Sequence, residues 1–334
     1  MNRLFIILLL ACCAAARAQE LVPYRAGDKW GYAGPGGELV IPARYDYAEP
    51  FSGELALTRS GAYYGFIDKA GRKAWAARYR FAGAFSEGCA PAKDRGAWGC
   101  VDKAGKAVVP FEYEELLRFA GGAAPAKKDG RWGLLLKDGL EFRPTAYDEI
   151  YPPTEGLARV RTNGRYGYID LAGKEALPAV YEEAFPFNGG FATARLGGKY
   201  GFIDRETLIF KEKPYIGIGP YNDGLAPAQD LAAEGRCGYI DRDGAEVIAF
   251  LFTMCASFDE GLAPVLKELR GSWGYIDKTG REVTGFKYTQ AGNFSGGLAK
   301  VAVKDRVFYI DRAGKEYTDG PGRGPKKGSA DTRL

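Results

Sequence analysis

Carboxylates are the regularly spaced side chains of this sequence that could do chemistry. One set of aspartates recurs through most of the chain: Asp68, Asp102, Asp170, Asp204, Asp241, Asp277 and Asp311. Calcium needs several oxygen ligands close together in one loop. Each of these loops offers one, and a glycine follows most of the aspartates three residues later, as in a type I turn. We therefore interpret this set as turn-capping residues and predict no metal site.

A second set of acids follows a recurring tyrosine: Asp46, Glu114, Asp148 and Glu182. A pair of carboxylates is the catalytic machinery of most glycosidases. These acids recur equally along the chain, however, whereas an active site would occur once. We predict that the protein has no catalytic residues and is not an enzyme. A hydrolase remains an alternative, and it requires two acids within about 10 Å of each other in a single cleft.

Nucleophilic chemistry has few candidates. The chain has no histidine, which excludes Ser-His-Asp and Cys-His arrangements. Beyond residue 18 there are four cysteines, without a C-x-x-C pair: Cys89, Cys100, Cys237 and Cys255. A zinc site or other cofactor is therefore not expected. An even number of cysteines in an exported chain indicates disulfides, and four allow three pairings. We favour Cys89–Cys100, across one predicted hairpin, and Cys237–Cys255; free buried thiols are the alternative.

The elements that carry these residues are sequence repeats. An aromatic-glycine motif, such as Trp273-Gly274-Tyr275-Ile276-Asp277, recurs along the chain. Its glycines are Gly31, Gly65, Gly99, Gly133, Gly167, Gly201, Gly238 and Gly274, with Phe308 in the ninth position. They are spaced by 34 residues, apart from intervals of 37 and 36, which indicates a repeat architecture.

The motif residues are predicted to be structural. Tryptophan precedes the glycine in four copies: Trp30, Trp98, Trp132 and Trp273. We expect the aromatic residue to anchor the core and the glycine to allow a close backbone approach beside it. Aromatic residues also recur 14 residues after the glycine and, with one exception, 20 residues after it, and an alanine recurs at 25 without exception. Core packing explains these columns best; an exposed aromatic ladder for sugars is the alternative.

The local signals within one repeat are all β. A strand, a tight turn such as Asp129-Gly130, the motif strand and a short third strand follow one another. Such a meander cannot bury its apolar face alone, so neighbouring repeats must stack. We predict an all-β tandem array of about nine 34-residue repeats. An open, curved solenoid is favoured over a closed propeller, because the terminal copies are degenerate and no late strand obviously completes an early sheet.

These residues resemble the WG-repeat family, also called KWG repeats. The match is closest at Phe258-Asp259-Glu260-Gly261-Leu262-Ala263-Pro264-Val265 and at the motif from Trp273 to Asp277, and it covers nearly all of residues 21–318. Departures are Cys237 at the tryptophan position, Leu134-Leu135-Leu136 in place of Tyr-Ile-Asp, and Phe308 in place of glycine. The resemblance implies an all-β repeat array that is often exported, with no enzymatic activity and no agreed ligand.

The two ends of the chain differ from the array. Residues 1–18 combine Arg3, an apolar run and Ala16-Arg17-Ala18, which is typical of a secretory signal peptide cleaved after Ala18. The alternatives are a retained membrane anchor and a lipoprotein attached through Cys12. Residues 19–318 form the single repeat domain, and residues 319–334 are predicted to be a disordered tail. The formal net charge of +4 falls to +2 without Arg3 and Arg17, and the tail carries the rest, so no nucleic-acid partner is expected.

From these features we expect an exported, non-catalytic repeat protein, periplasmic or extracellular, that acts as a protein-binding or scaffold module of the bacterial cell envelope. The alternative is a carbohydrate- or peptidoglycan-binding protein that uses exposed aromatic side chains. No transmembrane span is expected after removal of the signal peptide, and the partner, a protein or an envelope polymer, is not identified by the sequence.

Overall fold

In a computed structural model, the described part of the chain folds into nine small antiparallel sheets, which we call blades 1 to 9. The structure describes residues 20–75, 79–138 and 140–319. Over these residues it contains strands and turns but no helix. The predicted signal peptide, with Cys12 and Cys13, and the tail from residue 320 lie outside the described residues. The all-β tandem array predicted from the sequence is confirmed.

The strands follow one another in chain order, so that each blade is a local meander. Blades 1 to 3 are β1 (Val22–Ala26), β2 (Lys29–Ala33), β3 (Leu39–Tyr45); β4 (Tyr47–Ala48), β5 (Leu55–Ser60), β6 (Tyr63–Asp68); and β7 (Phe81–Ala82), β8 (Ala90–Asp94), β9 (Ala97–Val101), β10 (Ala107–Tyr113). Blades 4 to 6 are β11 (Glu115–Leu116), β12 (Ala123–Lys128), β13 (Arg131–Leu136), β14 (Phe142–Pro144); β15 (Glu149–Ile150), β16 (Leu157–Thr162), β17 (Arg165–Asp170), β18 (Glu175–Tyr181); and β19 (Glu183–Ala184), β20 (Phe191–Leu196), β21 (Lys199–Asp204), β22 (Phe210–Glu212). Blades 7 to 9 are β23 (Gly217–Ile218), β24 (Ala226–Gln229), β25 (Cys237–Ile240), β26 (Glu246–Phe252); β27 (Met254–Cys255), β28 (Leu262–Leu266), β29 (Trp273–Asp277); and β30 (Gln290–Ser295), β31 (Leu298–Val303), β32 (Arg306–Asp311), β33 (Glu316–Tyr317).

Most blades contain one strand more than the predicted meander. A short first strand, such as β11, pairs with the second strand of its blade, because Glu115 lies opposite Lys127 in the register. Residues 113–117 form no helical turn. The backbone there is extended because the N–H of Glu114 donates to the carbonyl of Lys127 at 2.9 Å, which continues the ladder into the sheet.

The apolar core lies between successive blades. At the interface of blades 5 and 6, the rings of Tyr168 and Phe187 pack edge to face with centroids 5.0 Å apart. The Tyr168 hydroxyl donates to the carbonyl of Phe185 at 2.7 Å, so this buried polar group has a partner. Ala192 lies fully buried in the same cluster. Equivalent ring pairs recur around the array: Tyr32–Phe51, Phe66–Phe85, Phe202–Tyr221, Tyr239–Phe258 and Tyr275–Phe294.

The ring is closed, since blade 9 packs on blade 1. One core cluster joins Trp30 and Tyr32 of blade 1 with Leu298, Tyr309 and Tyr317 of blade 9. The Trp30 and Tyr309 rings meet edge to face at 5.7 Å. The open, curved solenoid favoured from the sequence is therefore wrong: the protein is a nine-bladed, propeller-like ring.

Two residues that follow β33 close the ring. Within the described residues blade 1 has no short first strand before β1, and Thr318 forms a parallel bridge with Arg25 at the position where Tyr47 of β4 pairs with Arg59 in antiparallel register. Asp319 follows: its N–H donates to the Arg25 carbonyl at 3.1 Å, and its Oδ2 accepts from the N–H of Gly27 at 3.0 Å. The sequence did not suggest this closure, because a single bridge produces no strand-like pattern.

Asp319 reproduces a contact that joins blades elsewhere in the ring. Between blades 1 and 2, Asp46 pairs with Lys29 of blade 1 at 2.5 Å and accepts the Gly61 N–H of blade 2 at 2.6 Å. Between blades 9 and 1, Asp319 pairs in the same way with Arg306 and with the hairpin of blade 1. Although we placed Asp319 at the start of the tail, it belongs to the junction that closes the ring.

Candidate interaction surface

Most motif glycines lie where the third strand approaches too closely for a side chain. A Cβ on Gly167 would lie 2.7 Å from the carbonyl oxygen of Leu177, and one on Gly99 would lie 2.8 Å from that of Val109. The third strand is irregular at this point in blades 1, 3, 5 and 7, with shifts of register that press its backbone against the motif. The same crowding occurs at Gly31, Gly133, Gly201 and Gly238.

One motif glycine differs from this pattern. At Gly274 the close neighbour is the ring of Phe286, whose Cγ lies 3.0 Å from the position of a Cβ. Blade 8 has only isolated bridges in place of a regular third strand, which explains why the backbone contact is missing at Gly274. The segment that would approach Gly65 includes residues 76–78, which lie outside the described part of the chain.

The aromatic residue before the glycine is only partly a core residue. Trp30 is buried, with 2% of its surface exposed. Trp98, Trp132 and Trp273 are half-buried, as are the tyrosines that replace tryptophan in blades 2, 5 and 6. The columns 14 and 20 residues after the glycine are mostly buried, so they do not form an exposed ladder.

The regularly spaced acids are occupied by backbone contacts. Asp102 accepts hydrogen bonds from the N–H groups of Ala104 and Lys106, both at 2.9 Å. The same capping occurs at the other aspartates of this set. At Asp277, hydrogen bonds from Thr279 and Arg281 lower the pKa to about 2. The acids that follow the tyrosine column cap the hairpin of the next blade, as Glu114 does with the Gly130 N–H at 2.8 Å.

The cysteines pair as favoured from the sequence. Cys89 and Cys100 are bonded across the hairpin of blade 3, with Cα atoms 5.8 Å apart. Cys237 and Cys255 join the motif strand of blade 7 to the first strand of blade 8, with Cα atoms 6.0 Å apart. Among the residues that the structure describes, no cluster of three His, Cys, Asp or Glu side chains could hold a metal ion.

A basic residue faces the motif aromatic in six consecutive blades. The cross-strand pairs are Arg25–Trp30, Arg59–Tyr64, Lys93–Trp98, Lys127–Trp132, Arg161–Tyr166 and Arg195–Tyr200. In blade 1 the guanidinium lies 5.3 Å from the ring centre, and in blade 3 the ammonium lies 5.8 Å from it. Cations at this distance are attracted to the face of an aromatic ring.

Blades 1 to 3 differ from blades 5 and 6 in how these cations are compensated. Arg161 pairs with Glu149 at 3.1 Å and Arg195 with Glu183 at 3.5 Å, in each case on the short first strand. In blades 2 and 3 that strand carries Tyr47 and Phe81 at the same register position. Phe81 is 55% exposed. We call the side chains of blades 1 to 3 the basic–aromatic arc: Arg25, Trp30, Tyr47, Arg59, Tyr64, Phe81, Lys93 and Trp98.

The arc was not recognised from the sequence, although a signal was present. A lysine or arginine stands six residues before the motif glycine in the first six copies and in no later copy. Its pairing with the motif aromatic follows only from the two-residue hairpin turn, which sets the register. The acid that compensates it comes from a strand too short to give a periodic pattern.

The repeats match one known family. The model of the WG-containing repeat matches residues 30–62, 64–96, 98–132, 144–166, 166–200, 238–268 and 273–306. These matches cover more than half of the chain, and the protein therefore belongs to the WG-repeat family. No curated protein matches the sequence.

Solved structures resemble this fold to different degrees. The chain resembles a eukaryotic initiation factor with a TM-score of 0.57 at 12% identity, over 89% of this chain and 95% of that one. It also matches Hsv2 of Kluyveromyces lactis, with a TM-score of 0.43 at 6% identity, over 67% of this chain and 90% of that one. At these identities the first likeness concerns the fold alone, and the second is too distant to carry an argument.

No helix in the described part of the chain is long and apolar enough to cross a membrane.

Proposed function

We propose that this protein is an exported, non-catalytic scaffold of the bacterial cell envelope that binds an acidic segment of another protein on its basic–aromatic arc. The observation that carries the proposal is the change in charge compensation along the ring. The cations of blades 5 and 6 are neutralised within their own blades, whereas Arg59 and Lys93 form no ion pair within the described residues. Cations stacked on rings and left without a carboxylate favour a partner that supplies one.

Export is supported by the predicted signal peptide and by the two cysteine pairs, because disulfides persist in oxidising compartments. A non-catalytic role is supported by the occupation of the recurring acids in capping contacts. The ring itself suits a scaffold, since its core lies between blades and holds the surface positions of successive repeats at fixed spacing.

The test is binding of envelope proteins to the immobilised mature protein. We expect saturable retention of one protein, identified by mass spectrometry, with loss of retention in the double variant Arg59→Gln, Lys93→Gln. The matched control is Arg161→Gln, Arg195→Gln, which changes the same charge at equivalent positions of blades 5 and 6 and should retain the partner. Equal retention by both double variants would contradict the assignment to the arc.

A carbohydrate or peptidoglycan ligand is the second candidate, and the exposed ring of Phe81 favours it. Tyr47, Tyr64 and Trp98 are half-buried beside it, so several aromatic faces lie in neighbouring blades. Isolated cell-wall polymer should then be retained by the immobilised protein, and Phe81→Ala should weaken retention more than the double charge variant does. Retention of a protein with no retention of polymer would exclude this candidate.

A further inference from the structure

The junction of blades 9 and 1 contains a cleft. Its volume is about 590 Å³, and its lining includes Arg25, Trp30, Tyr47, Gln290 and Lys300. The cleft lies at the closure, where Thr318 replaces a full first strand. The pseudo-symmetry of the ring is therefore broken at this point, as expected for a site that occurs once.

Lys300 departs from what the repeats place at its position. This position lies on the neighbouring strand, opposite the residue that directly follows the motif glycine. It holds an apolar residue in six blades: Pro23, Leu57, Pro91, Pro125, Pro227 and Pro264. In blade 6 the position holds Thr193. In blade 5 it holds Arg159, whose guanidinium donates to the carbonyl of Ala184. Lys300 of blade 9, opposite Tyr309, has no such acceptor within the described residues.

The amine of Lys300 is surrounded by rings. Its Nζ lies 4.8 Å from the ring centre of Tyr47, 5.6 Å from that of Tyr309 and 5.8 Å from that of Trp30. Burial lowers the pKa of Lys300, although the charge of Glu49 acts in the opposite direction. Glu49 is itself engaged, since it accepts a hydrogen bond from the Tyr47 hydroxyl. A half-buried cation whose nearby carboxylate is already engaged is less stable than one with a carboxylate partner of its own.

A second cation increases the positive charge of the cleft. The guanidinium of Arg25 lies 5.3 Å from the same Trp30 ring. Its ion pair with the fully exposed Asp28 is long, at 3.8 Å. The carboxylate in the lining, Asp46, is compensated by Lys29 and by the Gly61 N–H. The Lys300 amine and the Arg25 guanidinium therefore both lie near the Trp30 ring, and the described cleft lining has no uncompensated carboxylate to balance these two positive charges.

We propose that the cleft between blades 9 and 1 binds the oxyanion of a small ligand, a carboxylate or a phosphate, through the Lys300 amine and the Arg25 guanidinium. An anion between the two cations would form charge-assisted hydrogen bonds with both and remove their repulsion. The walls of Tyr47 and Gln290 would contact the rest of the ligand. The cleft shares Arg25, Trp30 and Tyr47 with the basic–aromatic arc. Its central residue, Lys300, lies in blade 9 and outside the arc, so a change of Lys300 tests this site without changing the proposed protein contact.

The test compares the full mature protein with Lys300→Leu, which introduces an apolar residue that the repeat already uses at this position. Inorganic phosphate and glucuronate are titrated at constant ionic strength, with glucose as the neutral control, and binding is measured by calorimetry. We expect saturable binding of at least one anion by the wild type, at least tenfold weaker binding by Lys300→Leu, and none of glucose. Preference for phosphate or for glucuronate would identify the class of oxyanion.

Thermal unfolding separates this site from general salt effects. Phosphate stabilises proteins by exclusion from their surface, which should act equally on both proteins. In chloride alone, Lys300→Leu should unfold at a higher temperature than the wild type, because a half-buried charge has been removed. Arg25→Gln should also weaken anion binding. Arg195→Gln, which removes a cation from the Tyr200 ring outside both the cleft and the arc, should not. Absence of saturable binding by the wild type, or equal binding by Lys300→Leu, would overturn the proposal.

Discussion

Replacement of Asp319 by alanine should destabilise the whole ring, although the residue is the first of the predicted tail. Its carboxylate accepts the Gly27 N–H at 3.0 Å and pairs with Arg306, and its side chain is 12% exposed. Hydrogen bonds to charged groups contribute about 1.5–3 kcal/mol each. Because Arg306 is partly in solvent, which weakens the ion pair, we expect a loss of about 2 kcal/mol in the free energy of unfolding. In a protein of this size, 1 kcal/mol corresponds to about 2 °C, and the midpoint should fall by about 4 °C.

The assay is thermal and urea unfolding of wild type, Asp319→Ala and Asp46→Ala. Asp46 makes the same contacts between blades 1 and 2, so a closed ring predicts that both variants are destabilised. An open array would unfold from its ends, and Asp319→Ala would then have no effect while Asp46→Ala still would. Hydrogen exchange gives a second measurement: Asp319→Ala should expose the amides of β1 and β32 together. An unchanged midpoint with unchanged protection of β1 would refute the closure by Thr318 and Asp319.

Three further predictions concern the repeat itself. Gly167→Ala should lower the free energy of unfolding by about 2–3 kcal/mol through overpacking, because its Cβ would lie 2.7 Å from a carbonyl oxygen. Gly285→Ala should be nearly neutral, because no described heavy atom lies within 4 Å of the position of its Cβ. Urea denaturation of both variants checks this. Replacing Cys237 and Cys255 by serine should lower the free energy of unfolding by about 3 kcal/mol, as expected for a loop of 18 residues. Dithiothreitol should then destabilise this variant less than it destabilises the wild type. The folded pKa of Asp277 is lowered to about 2. The Asp277 carboxylate therefore stabilises the folded state above about pH 4, and this contribution is lost between pH 4 and pH 2. In Asp277→Asn the free energy of unfolding should depend less on pH over that interval.

Each of these predictions has an outcome that would contradict it. Equal destabilisation by the two glycine variants would show that the third strand does not determine the need for glycine. A cysteine-free junction of blades 7 and 8 with wild-type stability would mean that packing alone holds these blades together. An unchanged acid profile in Asp277→Asn would mean that its capping bonds persist in the unfolded chain or that other acids dominate between pH 2 and pH 4.

The repeat period, the β class and the roles of the recurring residues were predictable because they are determined locally. A tight turn such as Asp129-Gly130 requires positive φ at both residues, which lie at 51° and 72°. A side chain that recurs once per repeat in a stacked array meets the same neighbour each time, so that one copy explains the others. The cysteine pairing was also predictable, since each pair lies within one hairpin or between adjacent repeats.

Closure and the interaction surface were decided only by the tertiary structure. Whether nine repeats form a ring or a solenoid depends on a small rotation between neighbours, which accumulates over the array and leaves no periodic signal in the sequence. The contact of Asp319 with Gly27 spans 292 residues, and the cleft around Lys300 exists because blade 9 meets blade 1 there. The sequence determined by itself what each repeat is, because its turns and strands are local; the position where the last repeat meets the first is a long-range property, and the candidate sites of this protein lie beside it.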